Sequence, residues 1–385
     1  MKSILHIGKF YPPFYGGIEN YMSELLPLTK GSEYRVSALV HQHKITPYSD
    51  NETIEGVKIY RAACFGSLMF APISPWFLRD VNHCLKLEQP NVIHIHMPNT
   101  SAFWLLLSAE ARKCSWVVHW HSDVVGDKPK WFIKMLYPMY RIFEKAVLKR
   151  AERIICTSPS YCDSSKPLAN FRAKVTIIPL GLPRSNSKTS LIRASEEQKL
   201  RILVVGRLSY YKGHRVLFDA IASLPEPVQR CIEVKVVGRG ELFQELNHHL
   251  NRLGINCVQM LGGVSEQQLN DCYAWCDLLC LPSIERTEAF GLVILEAARQ
   301  AKPALVTDVQ GSGMGWVVQN DKTGWVVPSK SPSAIAEKLI KLCEQPKVCS
   351  DYGQAALKRF ESNFSIESVA QQTLDLYESI FADKK

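Results

Sequence analysis

Residues 283–300, SIERTEAFGLVILEAARQ, indicate the fold class of this chain more clearly than any other segment. This segment follows the apolar run LLCL at 278–281, which predicts a short buried strand. The polar residues after this strand predict a loop, and the apolar spacing beyond predicts a helix from about Phe290 or Gly291 to about Gln300. A strand, a loop and a helix in this order are typical of open α/β sheets, in which ligands bind where strands end.

Two carboxylates lie near the start of this predicted helix. Glu288 precedes the helix, and Glu296 lies about one and a half turns inside it. A helix start offers unpaired N–H groups to a phosphate or a sugar, Gly291 permits close approach to the backbone, and carboxylates accept hydrogen bonds from hydroxyls. On spacing alone a plainer interpretation is favoured, in which Glu288 stabilises the helix dipole and Glu296 is a solvated helix residue.

The residues themselves extend this interpretation. The segment EAFGLVILE at 288–296 resembles the Glu-x7-Glu signature of retaining GT-B glycosyltransferases of family 4. The similarity continues backwards through 286–287 to Ser283 and forwards through 302–303. One departure is Ala301, where such sequences often carry glycine, and this difference concerns the end of the helix more than the chemistry.

The resemblance implies a role for each part of this segment. Glu288 would contact the transferred sugar and Glu296 the ribose of the nucleotide. The backbone N–H groups around Phe290 and Gly291 would line the same pocket. The donor-binding residues implied here are Glu288, Ala289, Phe290, Gly291, Leu292 and Glu296.

Length and composition favour two domains of ordinary size. The chain has 385 residues, of which 46% are hydrophobic, enough to bury two cores. The twelve cysteines lack paired metal-binding spacing, so we interpret them as reduced, largely buried thiols of a cytosolic protein. No apolar run approaches the roughly 18 residues that span a bilayer. The N-terminus has the pattern of a strand and not of a signal peptide, and the net charge of +9 favours an anionic partner.

Apolar segments that alternate with helical segments predict a doubly wound parallel sheet in each half of the chain. The expected fold class is therefore α/β. The resemblance implies the GT-B fold, with two Rossmann-like domains facing across a cleft and a C-terminal helix that crosses back to the N-terminal domain. The predicted parts are an acceptor-binding domain at 1–182, a linker at 183–199, a nucleotide-sugar-binding domain at 200–364 and the returning helix at 365–385.

Near the N-terminus, a glycine-containing turn separates a predicted strand at 4–8 from a predicted helix at 18–29. This is the phosphate-binding arrangement of open α/β sheets, but no G-x-G-x-x-G is present, so a plain turn explains the segment equally well. The resemblance places Gly16 and Gly17 where such enzymes approach the donor diphosphate, with Glu19 just beyond.

Two predicted strands of the first half end in histidine-rich segments. For HIH at 94–96 we favour satisfied structural histidines over a metal site. In HWHSD at 119–123, alternation directs His119 and His121 to the same face of the strand. The resemblance assigns His121 to the donor sugar and makes Asp123 a candidate on the acceptor side, whereas a core imidazole with a backbone partner is the alternative for His121.

The second half opens with a predicted strand at 200–205 and the loop GRLSYYKG at 206–213. This loop resembles the Gly-Arg…Lys-Gly loop of the family. Lone basic residues in loops are usually solvated, but the resemblance implies that Arg207 and Lys212 hold the donor diphosphate, one as a fork and one as a point charge. The implied nucleobase contacts are Val237, Gly238 and Val264.

The segment 128–153 has the most unusual composition of the chain. Eight lysines and arginines stand against two glutamates, aromatic residues interleave with them, and Pro138 is expected to kink or divide the predicted helix. Such a helix suits an anionic membrane surface, and it equally suits a surface helix with its apolar side in the core. Nucleic acid is the poorer candidate, because no recognised binding motif accompanies the charge.

No Asp-x-Asp occurs in the chain, so the common metal-chelating pair for nucleotide diphosphates is missing. We therefore expect no cofactor and no metal, with Arg207, Lys212 and backbone N–H groups stabilising the leaving phosphate. The resemblance implies transfer of a hexose from a nucleotide diphosphate sugar to an acceptor hydroxyl with retention. No carboxylate nucleophile stands out, which favours same-face displacement. The catalytic candidates are His121, Arg207, Lys212 and Glu288.

The segments 286–290 and 119–123 most resemble those of bacterial surface-polysaccharide mannosyltransferases that use GDP-mannose. A lipid-linked saccharide on the inner leaflet as acceptor would account for the basic, aromatic segment 128–153, so we expect a cytoplasmic protein that is peripheral on the inner face of the membrane. UDP-glucose, UDP-galactose and UDP-N-acetylglucosamine are the alternative donors. The rival classes are another enzyme on this scaffold, such as a nucleotide-sugar epimerase or a phosphorylase, and a non-catalytic binder of sugar nucleotides or polysaccharide.

Overall fold

The computed structural model describes residues 1–14, 16–31, 33–68, 71–124, 131–185 and 199–383. The chain divides into two compact units. Unit 1 comprises Met1–Pro183 together with Ile366–Lys385, and unit 2 comprises Arg184–Ser365. Most of the linker predicted at 183–199 lies outside the described residues.

The core of unit 1 is a sheet that is parallel except at one edge. Its strands are β1 Lys2–Ile7, β2 Tyr34–His41, β3 Asp50–Ile54, β4 Val57–Ala62, β5 Ser67–Leu68, β6 Ala71–Pro72, β7 Val92–Met97, β8 Ser115–Trp120, β9 Arg153–Cys156 and β10 Val175–Ile177. Eight of them form one sheet in the order β10-β9-β8-β7-β1-β2-β4-β3, in which only β3 runs antiparallel, and β5 pairs with β6. The central strands β1, β7 and β8 are almost wholly buried, as expected for strands covered on both faces.

Helices connect the strands of unit 1. They are α1 Gly17–Thr29, α2 Phe77–Glu88, α3 Trp131–Arg150 and α4 Pro159–Ser164, with 3-10 helices at Thr100–Leu107, Ala111–Lys113 and Ala169–Lys174. Pro138 was expected to kink or divide the helix, and division is wrong, because α3 continues through Pro138. Proline removes one backbone hydrogen bond, and the C-terminal half of α3 is held by the fully buried Val147 and Leu148.

Unit 2 is built on a second, wholly parallel sheet. Its strands are β11 Leu200–Val205, β12 Ile232–Val237, β13 Val258–Gly262, β14 Leu278–Leu281, β15 Ala304–Thr307 and β16 Gly324–Val327. They are arranged in the order β13-β12-β11-β14-β15-β16. The apolar core under the sheet includes Phe218, Leu246 and Leu339, which are fully buried.

The helices of unit 2 are α5 His214–Ala222, α6 Glu226–Arg230, α7 Phe243–Leu253, α8 Glu266–Trp275, α9 Leu292–Ala298, α10 Met314–Val317, α11 Pro332–Glu344 and α12 Lys347–Asn363, with a 3-10 helix at Tyr210–Lys212. The last helix, α13 Ile366–Ala382, belongs to unit 1, where it packs against α1 and buries Val369, Tyr377 and Ile380. The predicted return of the last helix to the N-terminal domain is thereby confirmed.

The predicted strand at 278–281 is confirmed as β14, but two details of the sequence interpretation change. Helix α9 begins at Leu292, one to two residues later than predicted, because Gly291 takes a left-handed conformation and serves as its N-cap. Strand β3 was not predicted, because its sequence DNETI is polar and it lies exposed at the sheet edge.

All twelve cysteines are free thiols and most are buried, as predicted from their spacing. Within the described residues, we find no helix whose length and apolar content would allow it to traverse a lipid bilayer.

Candidate active site

The centre of the candidate site in unit 2 is an ion pair between Lys212 and Glu288. Lys212 ends the 3-10 helix after β11, and Glu288 lies in the loop before α9. The ammonium contacts Glu288 Oε2, both side chains are about nine-tenths buried, and Ser283 Oγ donates a hydrogen bond of 3.3 Å to the same carboxylate oxygen. The structure therefore brings together two residues that stand 76 positions apart in the sequence.

The backbone explains why these two loops meet. Ile284 N–H donates to Tyr211 C=O at 2.8 Å, which joins the loop after β14 to the loop after β11. Gly213 adopts φ +70°, and a Cβ there would lie 2.0 Å from the carbonyl oxygen of Pro282. Glycine is thus required at 213 for the close approach that places Lys212 beside Glu288.

Electrostatics keep Lys212 charged despite its burial. Burial alone lowers the pKa of an ammonium, but the carboxylate of Glu288, with a smaller contribution from Glu296, outweighs this effect and raises the pKa of Lys212 above its usual value. His214, two residues on, has its pKa lowered to about 4 by burial and by the charge of Lys212. At neutral pH the site therefore presents a fixed cation next to a neutral imidazole.

Beside Lys212, β11 and β12 are each followed by a glycine, so backbone without side chains lies next to the lysine. Gly206 and Gly238 follow these neighbouring strands with φ of +151° and +153°. A Cβ on Gly206 would lie 3.1 Å from Lys212 Nζ, and a Cβ on Gly238 would lie 1.8 Å from the carbonyl oxygen of Gly206. Gly238, a predicted nucleobase contact, thus lies next to the loop that carries Lys212.

The backbone that carries Glu288 is fixed from the opposite side by the glycine-rich segment before α10. Ser312 Oγ donates to Glu288 C=O at 2.5 Å, and Gly313 N–H donates to Ala289 C=O at 2.7 Å. The Phe290 side chain is buried and packs edge-on against Phe364. Only the backbone of Phe290, and not its ring, is therefore suited to the predicted pocket lining.

Glu296 is oriented by a tyrosine that the sequence interpretation missed. Glu296 lies in α9, and its Oε2 accepts a hydrogen bond of 2.5 Å from the hydroxyl of Tyr273 in α8. Tyr273 is wholly buried, and burial together with the Glu296 carboxylate raises its pKa well above the usual value. A carboxylate can accept several hydrogen bonds, so this contact with Tyr273 is compatible with a further hydrogen bond from a ribose hydroxyl.

Two further predicted donor residues of unit 2 lie at the surface of the site. Arg207, directly after Gly206, is exposed, and its positive charge opposes the increase in the pKa of Tyr211 that burial causes. Val264 is half-buried and follows β13, the edge strand next to β12. Both residues therefore follow the carboxyl ends of strands of one parallel sheet.

In unit 1, Gly16 is the N-cap of α1 and Gly17 is its first residue, which agrees with the glycine-containing turn predicted before this helix. Glu19 occupies the space above them: a Cβ on Gly16 would lie 2.3 Å from Glu19 Oε2. Burial raises the pKa of Glu19, and Lys9 opposes that increase. In this structure a carboxylate of the chain itself thus lies at the helix start where the resemblance puts a diphosphate.

Asp123 is held by hydrogen bonds within unit 1. Trp120 Nε1 and Ser165 Oγ donate to Asp123 Oδ1 at 2.9 and 2.7 Å. Its backbone N–H donates to the hydroxyl of Tyr161 at 2.7 Å. The structure therefore supports a bracing role for Asp123, and its assignment to the acceptor side stays a prediction.

His121 lies at the carboxyl end of β8 and is 6% exposed. Its ring stacks on that of His119 with centroids 4.1 Å apart, which confirms that the two side chains share a face. Its Nε2 lies 3.0 Å from Nδ1 of His96, and burial, with the charge of Lys9, lowers its pKa to about 3. The imidazole is neutral at physiological pH and can donate or accept a hydrogen bond.

Solved structures of the same fold match the chain over nearly its whole length. The chain superposes on sucrose-phosphate synthase from Thermosynechococcus elongatus with a TM-score of 0.76, 19% identity and full coverage of both chains. For Anabaena Alr3699/HepE in complex with UDP and glucose, the TM-score is 0.70, with 19% identity over 98% of this chain and 100% of the other. The fold is therefore GT-B, the class of glycosyltransferases with two Rossmann-like domains.

Sequence comparisons identify the family. Residues 15–185 match the model described as Glycosyltransferase Family 4, and residues 188–359 match Glycosyl transferases group 1. The chain is 27% identical to O-antigen chain mannosyltransferase C of Escherichia coli over 99% of both chains. It is 29% identical to D-rhamnosyltransferase WbpZ of Pseudomonas aeruginosa over 65% of this chain and 63% of the other. The chain belongs to glycosyltransferase family 4 and is an enzyme of that class.

Proposed function

We propose that this enzyme transfers a hexose, with retention, from a nucleotide diphosphate sugar during surface-polysaccharide synthesis. The observation that carries the proposal is the buried Lys212–Glu288 pair at the carboxyl edge of the unit 2 sheet. A lysine held charged inside the protein suits a diphosphate, and a carboxylate suits sugar hydroxyls.

The proposal assigns a binding role to each predicted residue. Lys212 and Arg207 bind the diphosphate, Glu296 accepts a hydrogen bond from the ribose, and Glu288 binds the transferred sugar. The remaining proposed contacts are Gly238 and Val264 to the base and His121 to the sugar, with Asp123 on the acceptor side. Gly16 and Gly17 are proposed to contact the diphosphate, which requires the Glu19 carboxylate to move away from the start of α1.

The proposed reaction is a same-face displacement. The anomeric C–O bond to the phosphate breaks, a bond to the acceptor oxygen forms on the same face, and a phosphate oxygen takes the acceptor proton. Negative charge grows on the leaving diphosphate, where the fixed charge of Lys212 and the exposed guanidinium of Arg207 stabilise it without reorganisation. With two cations in this position and no Asp-x-Asp in the chain, we propose that transfer needs no metal.

We propose GDP-mannose as the donor and a lipid-linked saccharide as the acceptor. The name of the Escherichia coli relative specifies a mannosyltransferase, and that of the Pseudomonas relative specifies D-rhamnose, which is 6-deoxymannose. Both sugars have the manno configuration, with an axial 2-hydroxyl. The complex of HepE with UDP and glucose keeps UDP-sugars as the second candidate class.

A thermal-shift screen across GDP, UDP, ADP and dTDP sugars tests the donor. A ligand present at 100 times its dissociation constant adds about 2.7 kcal/mol to the free energy of unfolding, and a ligand that binds more weakly adds less at the same concentration. With all sugar nucleotides at one concentration, GDP-mannose is therefore expected to raise the melting temperature most. A larger shift with a UDP-sugar would contradict the GDP assignment. Products from the labelled donor then separate transfer from epimerisation and from binding without turnover.

We further propose that α3 lies on an anionic membrane surface. Met135, Met139, Ile142 and Phe143 are exposed, and their spacing places them on one face of the helix. The neighbouring Leu107 is 63% exposed. Lys145 and Lys149 are exposed on the same helix. An apolar face accompanied by lysines is the composition of helices that lie in the interface of anionic bilayers.

Flotation with vesicles tests this surface. Met139→Ser/Ile142→Ser is expected to lower partitioning into phosphatidylglycerol-containing vesicles about 10-fold or more at low salt, because both side chains lose apolar area that the bilayer would bury. Ile45→Ser is the matched control, since Ile45 is 76% exposed elsewhere in unit 1. Equal flotation of the wild type with neutral and anionic vesicles, or no effect of the α3 substitutions, contradicts the proposal.

A further inference from the structure

Five buried histidines on the central strands of unit 1 form two hydrogen-bonded rows. In the long row, His6 Nδ1 lies 3.1 Å from His96 Nε2, and His96 Nδ1 lies 3.0 Å from His121 Nε2. In the short row, His94 Nε2 lies 3.3 Å from His119 Nδ1. His6 lies on β1, His94 and His96 on β7, and His119 on β8, which are neighbours in the sheet, and His121 directly follows β8.

The two rows lie face to face. His6 stacks on His94 with ring centroids 4.5 Å apart, and His119 stacks on His121 at 4.1 Å with only 9° between the ring planes. A metal ion binds imidazole nitrogen close to the plane of the ring, and parallel stacked rings do not direct their lone pairs to one point. The geometry therefore favours hydrogen bonds over a shared metal within either His6, His94 and His96 or His96, His119 and His121.

Burial keeps the rows uncharged. The pKa values of all five imidazoles are lowered, first by desolvation, to about 3 for His6 and His121 and well below the usual value for the other three. A neutral imidazole has one N–H and one bare nitrogen. Each hydrogen bond in a row therefore dictates the tautomer of the next ring.

Tyr377, on α13, joins the two rows at one end. Its hydroxyl lies 2.6 Å from His94 Nδ1 and 3.4 Å from His6 Nε2. At the other end, His119 Nε2 and His121 Nδ1 are buried and have no hydrogen-bond partner among the described residues. A tyrosine hydroxyl has a single proton, so it donates to one row and accepts from the other.

The histidine to which Tyr377 donates determines the tautomer of all five rings. If Tyr377 donates to His94, the pattern of contacts makes all five histidines Nε2–H tautomers. If it donates to His6, all five become Nδ1–H tautomers. The 2.6 Å contact is a normal O–H···N distance, whereas 3.4 Å is long for a donated hydroxyl proton.

We propose that the Tyr377 hydroxyl sets all five histidines as Nε2–H tautomers and thereby leaves His121 Nδ1 as a bare acceptor. His119 Nε2–H is then a donor at the same end of the rows. This inference rests on the proposed contact of His121 with the transferred sugar. In that contact, a sugar hydroxyl donates a hydrogen bond to the bare Nδ1 of His121. Tyr377 is a positioning residue that acts through the long row.

The direct test is the tautomer state of the wild-type protein, read from the imidazole ¹⁵N shifts of histidine-labelled enzyme. We expect the five buried residues, among eleven histidines in all, to show the shift pair of the Nε2–H form. Mixed forms, or a common Nδ1–H form, overturn the proposal. This readout needs neither a variant nor an active assay.

Tyr377→Phe is expected to leave His121 as a mixture of its two tautomers. The expected decrease in kcat is about 5- to 10-fold, which corresponds to the loss of one hydrogen bond. Tyr34→Phe is the matched control, because the Tyr34 hydroxyl also holds α13, through Glu378, without contacting either row. An equal loss in both variants, with unchanged His121 shifts, overturns the proposal. A uniform Nε2–H state combined with no transfer from any nucleotide sugar would instead contradict the proposed function and leave the network intact.

Discussion

Replacing Glu288 by Gln is expected to lower kcat by about 10²- to 10³-fold, the usual cost of removing one preorganised electrostatic group from an active site. The amide keeps the shape of the side chain but removes the counter-charge of Lys212. Burial then lowers the pKa of Lys212 unopposed by its nearest carboxylate, and the fixed cation for the diphosphate is weakened. Steady-state kinetics with labelled donor measure the loss.

The control must separate this loss from unfolding, because breaking a buried pair costs about 3–5 kcal/mol. Glu245→Gln disrupts an exposed pair with Arg215 on the same unit and is expected to leave kcat within about 2-fold, since surface pairs contribute little. The double variant Lys212→Met/Glu288→Gln is expected to recover stability but not activity. A single variant that retains more than a tenth of wild-type kcat would remove Glu288 from the catalytic set.

Gly238→Ala is expected to destabilise unit 2 by more than about 3 kcal/mol, in the range of severe core substitutions. The new Cβ would lie 1.8 Å from the carbonyl oxygen of Gly206, which is backbone at the end of β11 and cannot rotate away. The φ of +153° adds strain for any residue with a side chain. Equilibrium urea unfolding measures the difference.

Gly254 provides the comparison for this prediction. It also has a positive φ, +66°, but a Cβ there meets nothing within 4 Å, so Gly254→Ala is expected to cost only about 1–2 kcal/mol of backbone strain. The difference between the two variants isolates the approach of Gly238 to Gly206. Equal destabilisation by the two substitutions would show that the strand ends are not as close as described.

The parts of the fold that could be predicted are those in which the pattern is local. The strand β14, the loop after it and the helix containing Glu296 follow one another within about twenty residues, so apolar spacing was sufficient. The start of α9 was misplaced only because the left-handed Gly291 delays it. Strand β3 escaped prediction because an exposed edge strand with polar residues on both faces has no alternation to detect.

The parts of the site that could not be predicted depend on partners far apart in the chain. Nothing near Glu296 indicates that Tyr273 orients it, and the contact forms only because α8 and α9 pack around the same sheet. The ring nitrogens of His94 and His96 do have hydrogen-bond partners, but two of these partners, Tyr377 and His6, lie about 280 and 90 positions away in the sequence. Glu19 was noted in the sequence, yet its position over Gly16 follows from the first turn of α1 in three dimensions.

We propose that cationic side chains and backbone N–H groups, without a divalent ion, hold the sugar diphosphate during a retaining transfer. The transfer reaction tests this proposal when it is run with the donor identified by the thermal-shift screen, with excess EDTA and again with added Mg²⁺ or Mn²⁺. We expect equal rates under all three conditions and a product with the anomeric configuration of the donor. A rate that collapses in EDTA and returns with the added ion would contradict it.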